Sequence, residues 1–434
     1  MLKLSKNQKT ALLSILFFSL PFQIQSFIYE ADAGFGLINS YARIYLSIQL
    51  LLIFLIFFTF SLSGEFKKKE IPLGILMPLT LVVLSFLFSP APDFIFQALL
   101  LIQVFTLGIF VFVLLKSKTV DEKVIWFSFI ASMCFQAALS LLQWGLQGDL
   151  GLHFLGEPHL SLEVANLAKW NFLGETWIRS YGTFPHPNIL AAFLLLSILL
   201  TLRLRFELKP YFYPIFFLQM AGFLTTFSRL GFIALLIGLL FSIENIKKLD
   251  WKRASWIFLI LPLFLLLVLR FNTSFTDGSL EERWLGIEHS LVMLKEYPLG
   301  VGFQHYTLML NEITEINLAP WQYQPVHNSF LLFLSEFGII VSIFFLILFI
   351  FFVERKVYLK KGFYAFFLPF LILALNDHFF LTLEQGRILM TLFLYWAIVE
   401  SKKSAAPKQT DLHEPSFFPP SAVAKLRSRP PKSQ

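Results

Sequence analysis

The chain has 434 residues, of which 56% are hydrophobic and only 15% are charged. A soluble globular protein carries about 25% charged residues, so this chain lacks the charge to cover a water-exposed surface. The composition therefore indicates a membrane protein and excludes a chain that is disordered over most of its length. The single cysteine, Cys134, excludes an intrachain disulfide and a cysteine-rich metal site.

Twelve apolar runs approach the roughly 20 residues that a membrane-spanning helix needs. They lie near 10–28, 38–62, 71–89, 94–115, 124–146, 186–202, 211–227, 229–243, 255–270, 326–352, 363–380 and 386–400. Only Thr225 to Arg229 separates the seventh run from the eighth, so one long or re-entrant segment is the alternative there. The pattern predicts an all-α polytopic membrane protein whose transmembrane domain covers residues 1–400.

Lys and Arg residues predict the orientation of these spans, because cytoplasmic loops carry an excess of both. The two termini and every second gap hold at least three of them each, and together hold 27 of the 35 in the chain. This alternation predicts that both termini are cytoplasmic. Basic residues spread over short loops do not form the continuous basic surface of a nucleic-acid site, so no nucleic-acid partner is expected.

The two ends of the chain carry further signals. The first segment has three lysines, an apolar run and an A-x-A match at 31–33, which is also the pattern of a cleaved signal peptide. The length of the apolar run favours an uncleaved helix. Residues 401–434 contain several Pro and Lys with little apolar periodicity, which predicts a disordered cytoplasmic tail.

Two predicted outer loops, at about 147–185 and 271–325, are long enough to contain structure. In the second loop, Glu281 to Glu296 has the spacing of an amphipathic helix that lies on the membrane surface or caps the bundle. Pro298 ends this helix, and a second helix is predicted through Met309 and Ile313.

Eight basic residues are not needed to orient the spans. They are Arg43, Lys169, Arg179, Arg229, Arg270, Arg283, Lys295 and Arg387. Most suit the role of an anchor at a helix end. Arg229 differs, because it lies between two short apolar segments, where a charge is costly unless it is paired or hydrated.

Histidines are concentrated on the predicted outer side, which holds seven of the eight. His186 and His327 each open a predicted span beside Pro and Asn. A helix-terminal role is the simpler interpretation of either histidine alone, but the repeated pattern indicates a functional site.

Several short motifs follow one another between about 180 and 390. They are GTFPHPN at 182–188, TFSRLG at 226–231, RW at 283–284, PLGVGF at 298–303, HNSFL at 327–331, EFG at 336–338, NDH at 376–378 and QGR at 385–387. Their order and spacing resemble the O-antigen ligase/polymerase superfamily of membrane glycosyltransferases. The first 150 residues match that superfamily only as generic spans.

The resemblance implies a GT-C-like helical fold and a metal-independent, inverting reaction without a cofactor. The donor would be a glycan on a polyprenyl (undecaprenyl) diphosphate carrier, at the outer face of the bacterial inner membrane. The acceptor hydroxyl would belong to lipid A–core in a lipopolysaccharide ligase, to another carrier-linked glycan in a polymerase, or to a protein in an O-oligosaccharyltransferase. The sequence does not choose among these acceptors.

The matching positions supply roles for individual residues. Arg229 and Arg283 are predicted to bind the diphosphate, since Arg stabilises the negative charge that develops on the leaving oxygens. His327 is predicted to be the base that takes the acceptor proton. The secondary candidates are His186, Asn188, Asn328, Asp377 and His378.

Two rival functions have some support in the sequence. A metal-dependent GT-C enzyme would carry an acidic pair in its first outer loop, where Glu30 and Asp32 lie. A solute transporter would be expected to show internal repeats and ionisable groups at mid-membrane. No repeat is obvious, and the ionisable groups lie at the outer ends of the predicted spans.

Overall fold

The computed structural model describes residues 4–31, 40–66, 73–90, 93–117, 119–164, 167–172, 175–242, 277–314, 318, 322–356 and 361–403. The ninth predicted span, Asp32 and the predicted tail from residue 404 onward lie outside these residues.

Helices dominate the described part of the chain. They are α1 (Lys6–Ser19), α2 (Ile48–Leu62), α3 (Leu73–Leu87), α4 (Phe94–Lys116), α5 (Glu122–Leu146), α6 (Pro187–Arg203), α7 (Phe212–Leu224), α8 (Arg229–Ser242), α9 (Asp277–Glu296), α10 (Leu310–Ile313), α11 (Ser329–Lys356), α12 (Lys361–Ala374), α13 (Phe379–Thr382) and α14 (Glu384–Lys403). Two antiparallel hairpins accompany them, β1 (Gln25–Glu30) with β2 (Arg43–Ser47) and β3 (Lys169–Phe172) with β4 (Glu175–Ile178).

Three of the described helices are long and apolar enough to cross a membrane, namely α4, α5 and the Ser329–Phe351 part of α11. Six shorter apolar helices also lie in predicted spans and extend at most two residues beyond the predicted bounds. The mostly helical membrane fold is therefore confirmed. The count of twelve spans and the GT-C topology stay predictions.

The first two predicted spans are wrong at their outer ends. Helix α1 ends at Ser19 rather than near residue 28, and α2 begins at Ile48 rather than near residue 38. The strands β1 and β2 occupy the difference and pair from Gln25↔Ser47 to Glu30↔Arg43. Pro21 has no backbone N–H with which to continue the helix, and the aromatic and β-branched residues that follow suit a strand.

Helix α6 lies at the centre of the largest core. Nearly every residue from Pro187 to Thr201 is buried, so this helix is enclosed on all sides. It packs against α5, α7 and α8, whereas α11 exposes residues such as Ile340 and Phe344 on the outside of the bundle. The N-terminal end of α6 therefore carries its side chains into the interior of the protein.

The PLGVG and EFG motifs form one junction. The backbone N–H groups of Val301 and Gly302 donate to the carbonyls of Ser335 and Glu336, at 3.0 and 2.9 Å. Helix α11 is kinked at Gly338, whose φ of 74° favours glycine. A Cβ there would overlap the main chain of Leu299, so the two segments require close backbone contact.

Helix α9 confirms the helix predicted over 281–296 and extends it to Asp277. Its buried side includes Ser290 and Met293, while Trp284 and Leu291 are more than half exposed. Since α9 packs on α11, it covers one end of the bundle and presents an apolar stripe outward. The second predicted helix is much shorter than expected and covers only 310–313.

Candidate active site

The residues at the start of α6 are held in place by α5. The Gln143 side chain accepts hydrogen bonds from the backbone N–H groups of Tyr181 and Gly182, at 3.0 and 2.7 Å. The Gln136 side chain accepts from the N–H of Thr183 at 3.0 Å. Gly182 has a φ of 59°, and a Cβ there would meet Gln136. The glycine of the GTFPHPN motif therefore allows this segment to turn into α6.

His186 caps the N-terminus of α6. Its Nδ1 accepts from the backbone N–H of Asn188 at 3.1 Å, and Pro187 fills the first helical position, where no N–H is needed. In the neutral ring, the proton therefore lies on Nε2. His186 therefore has the geometry of a helix cap that also presents a donor, which suits a role in positioning the substrate.

Asn188 joins three segments of the chain. Its side-chain oxygen accepts from Arg179 Nη2 at 2.9 Å and from Ser228 Oγ at 3.2 Å. Its side-chain nitrogen donates to Asp377 Oδ2 at 3.2 Å. Side chains from the 182–188, 226–231 and 376–378 motifs therefore meet at one end of α6, where the second motif contributes Ser228, next to the predicted Arg229.

Asp377 and two histidines form the most buried part of this cluster. Asp377 Oδ1 accepts from the backbone N–H of His378 at 2.8 Å, and its carbonyl accepts from Ser329 Oγ at 2.6 Å. The rings of His327 and His378 lie 5.1 Å apart. One ligand atom from each of Asp377, His327 and His378 lies within 4.8 Å of the others, so the three side chains also have metal-binding geometry.

His327 is the candidate base with an available nitrogen. It precedes α11, and its Nδ1 is buried without a hydrogen-bond partner among the described residues. Burial lowers the pKa of His327, as does the charge of Arg283, while the charge of Asp377 opposes both. A neutral imidazole beside a carboxylate is the state in which histidine takes a proton from a hydroxyl.

The two predicted diphosphate ligands lie around this cluster. Arg283, on α9, donates from Nη1 to the carbonyl of Asn376 at 3.1 Å, next to Asp377. Arg229 is the first residue of α8 and is exposed. Helices α7 and α8 are separate, and residues 225–228 between them place Arg229 at the same end of the bundle as Asn188.

Arg179 is a site residue that the sequence analysis missed. Its Nε donates to the carbonyl of Thr226 at 2.7 Å, in addition to the bond from Nη2 to Asn188. Burial lowers the pKa of Arg179 to about 10, and the charge of Arg229 lowers it as well. Two guanidinium groups that repel one another are therefore held at one site, as suits an anionic ligand. The position of Arg179, just before the GTFPHPN motif, was the available signal.

Tyr41 also approaches the cluster, and its ring meets that of His378 edge-on at 5.3 Å. Asn328, by contrast, has the contacts of a helix cap, because its side-chain oxygen accepts from the N–H groups of Phe330 and Leu331, both at 3.0 Å. Glu30, proposed for the metal-dependent rival, forms an ion pair with Arg43 at 3.0 Å within the β1–β2 hairpin.

These observations describe a helical membrane protein with a cluster of Arg, His and Asp side chains at one end of its bundle. Residues 214–346 match the model of the Wzy_C family, described as O-antigen ligase. The resemblance to the O-antigen ligase superfamily is thereby confirmed. The matched region contains Arg229, Arg283 and His327, and it supports a coarse assignment to the transferases of cell-surface glycan assembly. No curated protein matches the chain.

Proposed function

We propose that the protein transfers a glycan from a polyprenyl diphosphate carrier to an acceptor hydroxyl at the outer face of the inner membrane, as an O-antigen ligase or polysaccharide polymerase. The observation that supports this proposal is that Arg179 and Arg283 bond to residues that flank Asp377 in space or in sequence, namely Asn188 and Asn376. Arg229 follows Ser228, which also bonds to Asn188. Cations beside a base are what the displacement of a sugar from a diphosphate requires.

The chemistry assigns one task to each group. His327 takes the acceptor proton while the acceptor oxygen forms a bond to the anomeric carbon. The bond from that carbon to the diphosphate oxygen breaks, and the carrier diphosphate leaves with the electron pair. Arg229 and Arg283 stabilise its growing charge, with Arg179 beside them. Asp377 stabilises the histidine once it is protonated.

The test is glycan transfer by protein reconstituted in liposomes with a polyprenyl-diphosphate glycan. Lipid A–core, a second carrier-linked glycan and a Ser/Thr peptide are supplied in turn, which separates ligase, polymerase and protein-glycosylating activity. We expect His327→Ala to lower the transfer rate by about 10²- to 10⁴-fold, the usual contribution of a general base. Donor binding should persist, because the arginines are intact.

The matched control is His289→Ala, which removes a half-buried histidine of α9 outside the cluster. It should transfer glycan at the wild-type rate. Wild-type transfer by His327→Ala would refute the assignment of the base. Transport of a solute by the liposomes without any glycan transfer would refute the enzyme itself, and loss of transfer in EDTA would favour the metal-dependent rival.

A further inference from the structure

A second cluster of ligating side chains lies in the loop after α5, away from the histidine–aspartate cluster of the candidate active site. Asp149 Oδ1 lies 3.5 Å from His153 Nε2, and Asp149 Oδ2 lies 2.9 Å from His159 Nδ1. The three ligand atoms all lie within 4.8 Å of one another. The cluster therefore brings one carboxylate and two imidazoles to a common centre.

The main chain already orients two of these three side chains. His153 Nδ1 lies 3.0 Å from the carbonyl oxygen of Glu157. In the tautomer with the proton on Nδ1, this nitrogen donates to that carbonyl, and the lone pair of Nε2 faces Asp149. Asp149 accepts from the N–H groups of Leu160 and Gly151, at 2.9 and 3.3 Å. Metal-bound histidines are usually held by such a bond from the second ring nitrogen.

Buried contacts stabilise the loop that carries the cluster. Glu157 is only 4% exposed, and its carboxylate accepts from the N–H groups of Leu150 and Leu152 at 2.9 and 2.6 Å. It also accepts from Gln143 on α5 at 2.8 Å. The backbone between Asp149 and His159 and the His153 ring are therefore fixed, while the more exposed His159 ring has room to turn.

The spacing of the ligand atoms fits a small divalent metal. Bonds of about 2.0–2.1 Å to a tetrahedral Zn²⁺ place two ligand atoms about 3.3 Å apart. The two distances from Asp149 lie on either side of that value, and the side chains of His153 and His159 are 52% and 71% exposed. Rotation of the more exposed His159 ring closes the site and leaves a fourth position open to water.

We propose that Asp149, His153 and His159 form a binding site for a divalent transition metal, with Zn²⁺ as the ion that two imidazoles and one carboxylate suit best. The site serves the 149–160 loop and takes no part in the transfer reaction. An ordinary ion pair between Asp149 and the histidines is the competing interpretation, and it needs no metal. The sequence analysis expected no metal, because the resemblance implies a metal-independent reaction.

In the experiment, the protein is purified in detergent, stripped of metal with a chelator and titrated with Zn²⁺, and binding is measured by isothermal titration calorimetry. The protein is purified through a tag without histidine. The variants are His159→Gln, which changes the most exposed ligand, and the double variant His153→Gln/His159→Gln. The control is His289→Gln, which removes a histidine outside the cluster. Thermal unfolding is measured with and without Zn²⁺ for all four proteins.

We expect wild type and the control to bind one Zn²⁺ and to unfold at a higher temperature with it. His159→Gln should weaken binding at least about tenfold, and the double variant should lose the Zn²⁺-dependent shift. Co²⁺ should give wild type the visible bands of a tetrahedral site. The proposal is wrong if wild type binds no Zn²⁺. It is also wrong if the double variant binds Zn²⁺ as tightly as wild type, because the ion would then be bound elsewhere, for example at His327, Asp377 and His378.

Discussion

Asp377 couples the candidate base to the rest of the site. One carboxylate oxygen accepts from the backbone of His378 and the other from Asn188, so the charge is held in a fixed place near His327. Fixed charge is effective here because no solvent needs to reorganise when the histidine becomes protonated.

Replacing that charge with an isosteric amide isolates its contribution. We expect Asp377→Asn to lower kcat for glycan transfer by about 10²- to 10⁴-fold, with a much smaller effect on the KM for the donor. Burial lowers the pKa of His327 and the charge of Asp377 opposes this, so without the charge that pKa falls further. The acid limb of the kcat/KM profile should therefore move to lower pH.

The control for this variant is Glu163→Gln, which removes an exposed acid from the 147–185 loop. It should leave both kcat and the pH profile unchanged. If Asp377→Asn lost activity while the acid limb of its kcat/KM profile stayed in place, Asp377 would be needed only for the folded structure and not for the pKa of His327.

Arg179 tests whether the planar guanidinium matters as well as the charge. Lysine keeps the charge but cannot donate at once to the Thr226 carbonyl and to Asn188, as the Nε and Nη2 groups of Arg179 do. We expect Arg179→Lys to raise the KM for the donor about tenfold, which corresponds to the loss of one charge-assisted hydrogen bond. Initial rates at varied donor concentration measure this.

Lys169 provides the matched control, because it lies in the same 147–185 loop and, among the described residues, donates only to the carbonyls of Leu162 and Val164. Lys169→Ala should keep the wild-type KM. A wild-type KM for Arg179→Lys would remove Arg179 from the donor site.

Local motifs selected some residues of the candidate site and did not select others. Arg229, Arg283 and His327 were predicted because each follows a short pattern in the sequence. Tyr41 reaches the cluster from a loop distant in sequence, and no periodicity encodes that approach. Arg179 lies just before the GTFPHPN motif and was overlooked because it is not part of it. Asn328 was selected for its position beside His327, yet its hydrogen bonds are those of a helix cap.

Helix prediction succeeded where an apolar run begins just after a strong N-capping residue. Helices α4 and α5 begin just after Asp93 and Asp121, whose side chains cap them, and both lie within two residues of the predicted bounds. The β1–β2 hairpin was missed because an apolar run of strand-forming residues does not differ in hydropathy from the end of a helix.

The junction between the PLGVG turn and α11 depends on glycine at position 338. Its φ of 74° and ψ of 169° lie in a region that other residues rarely adopt, and a Cβ would overlap the backbone at Leu299. We expect Gly338→Ala to destabilise the protein by about 1–3 kcal/mol. Thermal unfolding in detergent measures the loss.

Gly145 is the control for that substitution, because it lies within α5 with no atom near the position of a new Cβ. Gly145→Ala should not lower the unfolding temperature, since alanine is the better helix former. An unfolding temperature for Gly338→Ala equal to that of wild type would contradict the requirement for close backbone contact at the junction.

The orientation of the whole molecule decides whether the site meets its donor. The Lys and Arg alternation predicts that the 147–185 loop faces outward and that the gap between α6 and α7 faces the cytoplasm. Glu163 and Arg205 are exposed residues in these two segments. Since Cys134 is the only cysteine, Cys134→Ala gives a background in which one introduced thiol reports one position.

In that background, we expect Glu163→Cys to react with a membrane-impermeant maleimide in intact spheroplasts, which expose the outer face of the inner membrane. Arg205→Cys should react only after the membrane is permeabilised. Because Arg179 links the loop that holds Glu163 to Asn188, labelling at Glu163 locates the candidate active site on the same side as that loop. The reverse pattern would place the arginines and His327 at the cytoplasmic face, where the proposed outer-leaflet donor does not reach them.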